Sequence, residues 1–176
     1  SFTTYEATIM TITMYSASIP VLKNNLHSLA GVLKKAEAHA TGAGYESGAL
    51  LGSRLFPDMF DLTRQVQIAT DQAKGGAARL AGVDVPKYED NETTFAELDA
   101  RISKTIQFLE TIRPDQVDGS EGRDIVIQAG PMKLEFKGQI YLTTWVFPNF
   151  FFHVTTAYNI LRHNGVPLSK RDFLGM

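Results

Sequence analysis

Histidine is the side chain best suited to carry a proton near neutral pH, and this chain has four, His27, His39, His153 and His163. Two of them fall in its most aromatic stretch, WVFPNFFFHVTTAYNILRHNG from Trp145 to Gly165. On a helical wheel of about 100° per residue, Phe150, Val154, Ala157, Leu161 and Asn164 share one direction, with His153 on its flank. Phe152, Thr155, Asn159, Arg162 and His163 fall on the other side. His153 is therefore the histidine directed at a core, and His163 the one directed at solvent. His27 and His39 lie off the apolar stripe of their own segment and read as solvated residues. An inward imidazole works as a general acid or base when a hydroxyl or carboxylate orients it, and Tyr15 or Asp58 is expected to do so. Gln65, Asn164 and Trp145 are the further side chains expected to line a ligand site with it. The same imidazole has a second use, as a core histidine whose ring nitrogens are hydrogen-bonded to a hydroxyl or a backbone carbonyl.

Other chemistries are excluded by what the chain lacks. There are no cysteines, which removes disulfides, thiolate metal ligands and a cysteine nucleophile together. Ser120 in GSEG does not have the Gly-x-Ser-x-Gly form of a nucleophile elbow. The glycines of TGAGYESG lack both the Gly-Lys-Ser/Thr ending of a phosphate loop and the preceding strand of a dinucleotide fingerprint, so this stretch reads as a plain loop. The 17 basic and 19 acidic residues give a formal charge of −2 and are interspersed, so nucleic acid is not expected as a partner. No run approaches the roughly 18 apolar residues of a membrane span, and SFTTYEATI lacks the basic start followed by an apolar run that a leader peptide has. A cytoplasmic protein is expected, with residues 1–9 as an N-terminal extension and 10–176 as one domain.

The elements that must position His153 follow from periodicity. Tyr15, Ile19, Leu22, Leu26, Leu29, Leu33, Ala36 and Ala40 recur at three- and four-residue steps and predict a first helix from about Thr11 to Ala40. Pro20 inside it should kink or divide it. Ala49 to Phe56 allows a short helix or turn closed by Pro57. A second long helix spans Asp58 to Gly82, with Leu62, Val66, Ala69, Ala73, Ala77 and Leu80 inward. Asp58 and Gln65 sit at the edge of that stripe; if they do not look into the interior, Asp58 caps the helix and Gln65 borders the core. Gly75 and Gly76 each cost about 1 kcal/mol of helix propensity relative to alanine, which implies a neighbouring backbone in close approach.

Thr94 and Glu97 form a capping box that opens a third helix carrying Phe95, Leu98, Ile102, Ile106, Leu109 and Ile112, ended by Pro114. From Asp124 to Lys137 the period drops to two, and Ala129-Gly130-Pro131 turns the chain, so a two-stranded hairpin is predicted. A lone hairpin is marginal and should pack on the helices near Phe152 or Trp145. The last helix is expected to start between Thr143 and Phe147, with Pro148 in its first turn, and to stop at Gly165. The tail VPLSKRDFLGM is expected to lie extended, anchored by Leu168 and Phe173. Four long helices and an inserted hairpin make a mainly α protein, a four-helix bundle of antiparallel type.

The blocks PDMFDLTRQVQIATDQAKGGAARLAG, ETTFAELDARI, FKGQIYL, PNFFFHVTTAYNILRHNGVPL and KRDFLG resemble the DUF1993 family, a branch of the DinB-like four-helix-bundle superfamily, over roughly Met10 to Gly175. The superfamily includes metal-dependent, thiol-cofactor-using transferases and isomerases with three histidines, one on the second helix and two spaced H-x-x-x-H on the last. His153 matches the first of that pair. Ala157 stands where its partner would be, and Asp58 to Gly82 contains no histidine. A set of His153, Asp58 and Gln65 would be weak for a transition metal, so neither a metal nor a cofactor is expected.

The reading that follows is a DinB-like bundle that binds or transforms a small organic molecule near His153. A dimeric structural or interaction protein is the alternative, and a metal-dependent transferase or isomerase with a degenerate site a second. Aromatic rings around the whole of the last helix exceed what one bundle covers, and a homodimer is expected from that excess. A solvent-connected cavity at His153 would favour the first reading and a packed, dry His153 the alternative.

Overall fold

Thr13 opens the first helix by accepting a hydrogen bond from the Ser16 N–H, while the Ser16 hydroxyl accepts one from the Thr13 N–H, a reciprocal cap that satisfies two otherwise unpaired donors. The computed structural model describes residues 11–176; the expected extension over residues 1–9 lies outside the described residues. The helix, α1 (Met14–Ala43), runs as one element through Pro20 and is not divided there. Proline removes one donor and crowds one carbonyl, whereas Ile19, Leu22, Leu26, Leu29, Leu33, Ala36 and Ala40 hold a continuous buried stripe on both sides of it.

A short α2 (Gly48–Leu51) leads through an exposed loop to α3 (Leu62–Ala81). Its cap is Asp61, which accepts from the Arg64 N–H at 2.9 Å, not Asp58. The inner face of α3 is small, as expected, but the groups pressing on its glycines are side chains. A Cβ on Gly76 would meet Val146 Cγ1 at 2.7 Å, and one on Gly75 would meet the Arg79 guanidinium at 2.6 Å. Next come α4 (Phe95–Glu110) with the Thr94–Glu97 capping box, α5 (Pro114–Val117) and the hairpin of β1 (Asp124–Ala129) and β2 (Met132–Lys137). The strands are antiparallel with Ile125 opposite Phe136 and Ile127 opposite Leu134. Gly130 turns the chain at φ 57°, a conformation that glycine adopts without penalty. Phe136 packs on Tyr141 and Trp145 with ring centroids 5.7 and 5.9 Å apart, so the hairpin meets Trp145 and leaves Phe152 uncovered.

The last helical run starts earlier than expected, at α6 (Gly138–Ile140). It continues through a π-helical segment, Tyr141–Val146, into α7 (Phe147–His163). Pro148 thus lies inside a continuous helical run, immediately after wider π turns in which the Phe147 N–H reaches back to Leu142 O. The tail is not extended throughout: Ser169 and Asp172 cap α8 (Lys170–Leu174), which docks Phe173 against Tyr158 at 5.9 Å. The bundle is built by α3 packing on α7 and α4, and α1 on α4, α3 and α7. Among the described residues, no helix is long and apolar enough to cross a membrane.

Candidate functional site

His153 occupies the second turn of α7 and Gln65 the first turn of α3, and the packing of these two helices brings them together. His153 Nδ1 and Gln65 Oε1 are 2.7 Å apart. Gln65 Nε2–H donates to the Phe60 carbonyl at 3.1 Å, so only its oxygen is left to face the ring. An amide oxygen only accepts; the proton of the pair therefore sits on Nδ1, and Nε2 keeps its lone pair. Gln65 is 1% exposed and His153 9%. Among the described residues Nε2 has no hydrogen-bond partner. The Phe152 ring stands edge-on to the imidazole with centroids 5.2 Å apart and is 55% exposed.

Burial, and secondarily the Arg64 cation, hold the His153 pKa down to about 4. Both effects favour the neutral ring. Arg64 is itself pinned, donating to Asp90 Oδ2 at 2.5 Å and Gln67 Oε1 at 3.2 Å, with its guanidinium 5.8 Å from the Phe60 ring centroid. At neutral pH the site presents an uncharged, tautomerically fixed acceptor beside an exposed aromatic ring.

The other expected site residues do not join it. Asp58 is exposed in the loop before α3, because the helix begins at Leu62 and Asp61 takes the capping role. Asn164 is exposed and its side chain donates to Ile160 O at 2.7 Å; it lies beyond the end of α7, where a wheel drawn for regular helix no longer applies. Tyr15 is half-buried near the start of α1, its N–H bonded to Asp118, and no hydrogen bond links it to His153. Trp145 is half-buried under the hairpin. Arg64 and the Phe60 carbonyl are the parts that sequence reasoning missed; nothing in a helical wheel reports a backbone carbonyl of a preceding loop.

The donor set does not fit a metal ion. Gln65, the α3 side chain that faces His153, is bonded directly to Nδ1, Ala157 offers no ligand atom, and Asp58 is exposed, with no hydrogen bond to either residue among the described residues. Among the described residues no three or more His, Cys, Asp or Glu side chains are grouped to share an ion. Cavities of about 510 and 450 Å³ exist, but both are lined by residues other than His153, so a small-molecule reading draws on the polarity of the His153–Gln65 pair and not on a cavity at His153.

The family model described as Domain of unknown function (DUF1993) matches residues 14–174. The crystal structure of a DinB family member protein from Shewanella denitrificans is 40% identical, with 92% of each chain covered and a TM-score of 0.83. No curated protein matches the chain.

Proposed function

The chain belongs to the DUF1993 family, and from that premise we propose that it binds a small organic molecule through the Nε2 edge of His153. The observation that carries the reading is the fixed tautomer: Nδ1–H is committed to Gln65, so Nε2 can only accept. A ligand that satisfies it brings an O–H or N–H donor, and the exposed Phe152 ring favours an apolar or aromatic body next to that donor. Binding is preferred over transformation because an imidazole held near pKa 4 is a weak base at neutral pH. Gln65 acts as a positioning residue, holding the ring while the Phe60 carbonyl holds Gln65.

The test is an NMR titration with phenol and with anisole, its methyl ether. Phenol should shift the His153 ring resonances saturably, and anisole should do so much more weakly. Equal shifts from both, or none from either, would refute the reading.

A second reading, self-association, is favoured by Phe56, Phe60 and Phe152, which are 64%, 55% and 55% exposed. Phe60 and Phe152 flank the two ends of the Gln65–His153 hydrogen bond, and exposed aromatic side chains brought close together mark interaction surfaces more often than plain monomer surface. Under this reading solution scattering at micromolar concentration shows a dimer, and Phe152→Ser shifts it toward monomer; a wild-type monomer under those conditions excludes it.

A further inference from the structure

The cavity of about 510 Å³ lies between the segment 87–92 and α4. Its floor is rigid. Arg101 is 4% exposed and its guanidinium is fully committed, to Thr70 Oγ1, the Glu89 and Gln67 carbonyls, Glu92 and Asp71. The Tyr88 ring stacks against this floor, with the Arg101 guanidinium 5.2 Å and the Lys74 ammonium 4.7 Å from its centroid.

The acids that line the cavity are mostly spoken for. Glu92 is bonded to Arg101 and Gln67, and Glu97 accepts from the backbone of Thr93 and Thr94 in the capping box. Glu89 is bonded to the Asn91 amide and to no cation. Two exposed ammoniums face the same space with no carboxylate partner among the described residues: Lys87, and Lys104, which stands 4.4 Å above the Tyr88 ring. A volume in the range of small-molecule sites, a fixed floor and two ammoniums without a carboxylate partner among the described residues converge on one ligand chemistry.

We propose that this cavity binds a small dianion, a dicarboxylate or a phosphate ester, through the Lys87 and Lys104 ammoniums, independently of His153. The two sources share the chemistry that matters, a pair of negative oxygens set to reach both lysines. Glu89 and Glu97, which no cation meets among the described residues, oppose them and tune affinity downward.

The experiment is a chemical-shift titration of the whole chain with succinate and with inorganic phosphate, using succinamide as the uncharged control. Saturable shifts confined to residues 87–104 are expected for at least one anion and none for succinamide. Lys87→Gln with Lys104→Gln, both at exposed positions, should weaken binding about tenfold or more, whereas Glu89→Gln should tighten it. Succinate answering alone assigns a dicarboxylate, and phosphate answering alone assigns a phosphate ester. The proposal is overturned by the absence of saturable shifts with either anion, by equal binding of succinamide, or by weaker binding in Glu89→Gln, which would mean that the ligand needs a cationic group.

Discussion

The hydrogen bond between His153 Nδ1 and Gln65 Oε1 joins two polar side chains from separate helices into one unit. Removing Gln65 leaves the Nδ1–H and the Phe60 carbonyl without their partner, so Gln65→Ala should cost about 1–3 kcal/mol in chemical denaturation. The low pKa has its own consequence. A folded pKa of about 4 against an ordinary 6.5 means that the folded chain binds this proton less readily than the unfolded one. The stability that comes from a neutral His153 is complete above pH 6.5 and is lost as pH falls toward 4. Between pH 7 and pH 4 the wild type should lose about 2–3 kcal/mol more than His153→Gln. Equal losses in the two proteins would show that the ring titrates as freely as it does in the unfolded chain.

At the scale of elements, the helices and the hairpin were legible because each buries one face at its own period. Leu62, Val66, Ala69 and Ala73 on α3, and Ile125 and Ile127 on β1, are buried as their spacing requires. The features that were not legible depend on partners far along the chain. Gly138 starts the last helical run where its backbone meets Ser120; a Cβ there would stand 1.9 Å from Ser120 O, a contact no local pattern reports. Gly138→Ala should therefore destabilise by at least about 3 kcal/mol, measurable as a lower midpoint at unchanged slope in urea. Pro148 reads as a helix start, and the π segment ahead of it is what lets the helix pass through. Arg101 did leave a signal, since it follows Leu98 by three residues and precedes Thr105 by four on the buried face of α4. Its charge is met by Asp71, Asp90 and Glu92 at 2.9, 3.0 and 3.0 Å. Arg101→Ala would strand these carboxylates and should cost about 3–5 kcal/mol, loosening the segment that carries Tyr88 most, as hydrogen exchange would register.

For the molecule as a whole, the bundle explains why the candidate site was only partly readable. His153 could be singled out because its phase on α7 is inward, and Gln65 because it borders the stripe of α3. Their partnership depends on how α3 and α7 pack, which neither helix encodes alone. Asp58 and Asn164 were misplaced for one reason: both lie just past a helix end, where the periodicity that placed them stops. The reading proposed for His153 requires that this packing hold it as a neutral, Nδ1-protonated ring whose Nε2 is free to accept from a ligand. It is tested most directly by long-range ¹H–¹⁵N NMR of the histidine rings across a pH titration. An Nδ1–H tautomer at neutral pH and a titration near pH 4 are expected; an Nε2–H tautomer, or a titration at about 6.5, would overturn that reading.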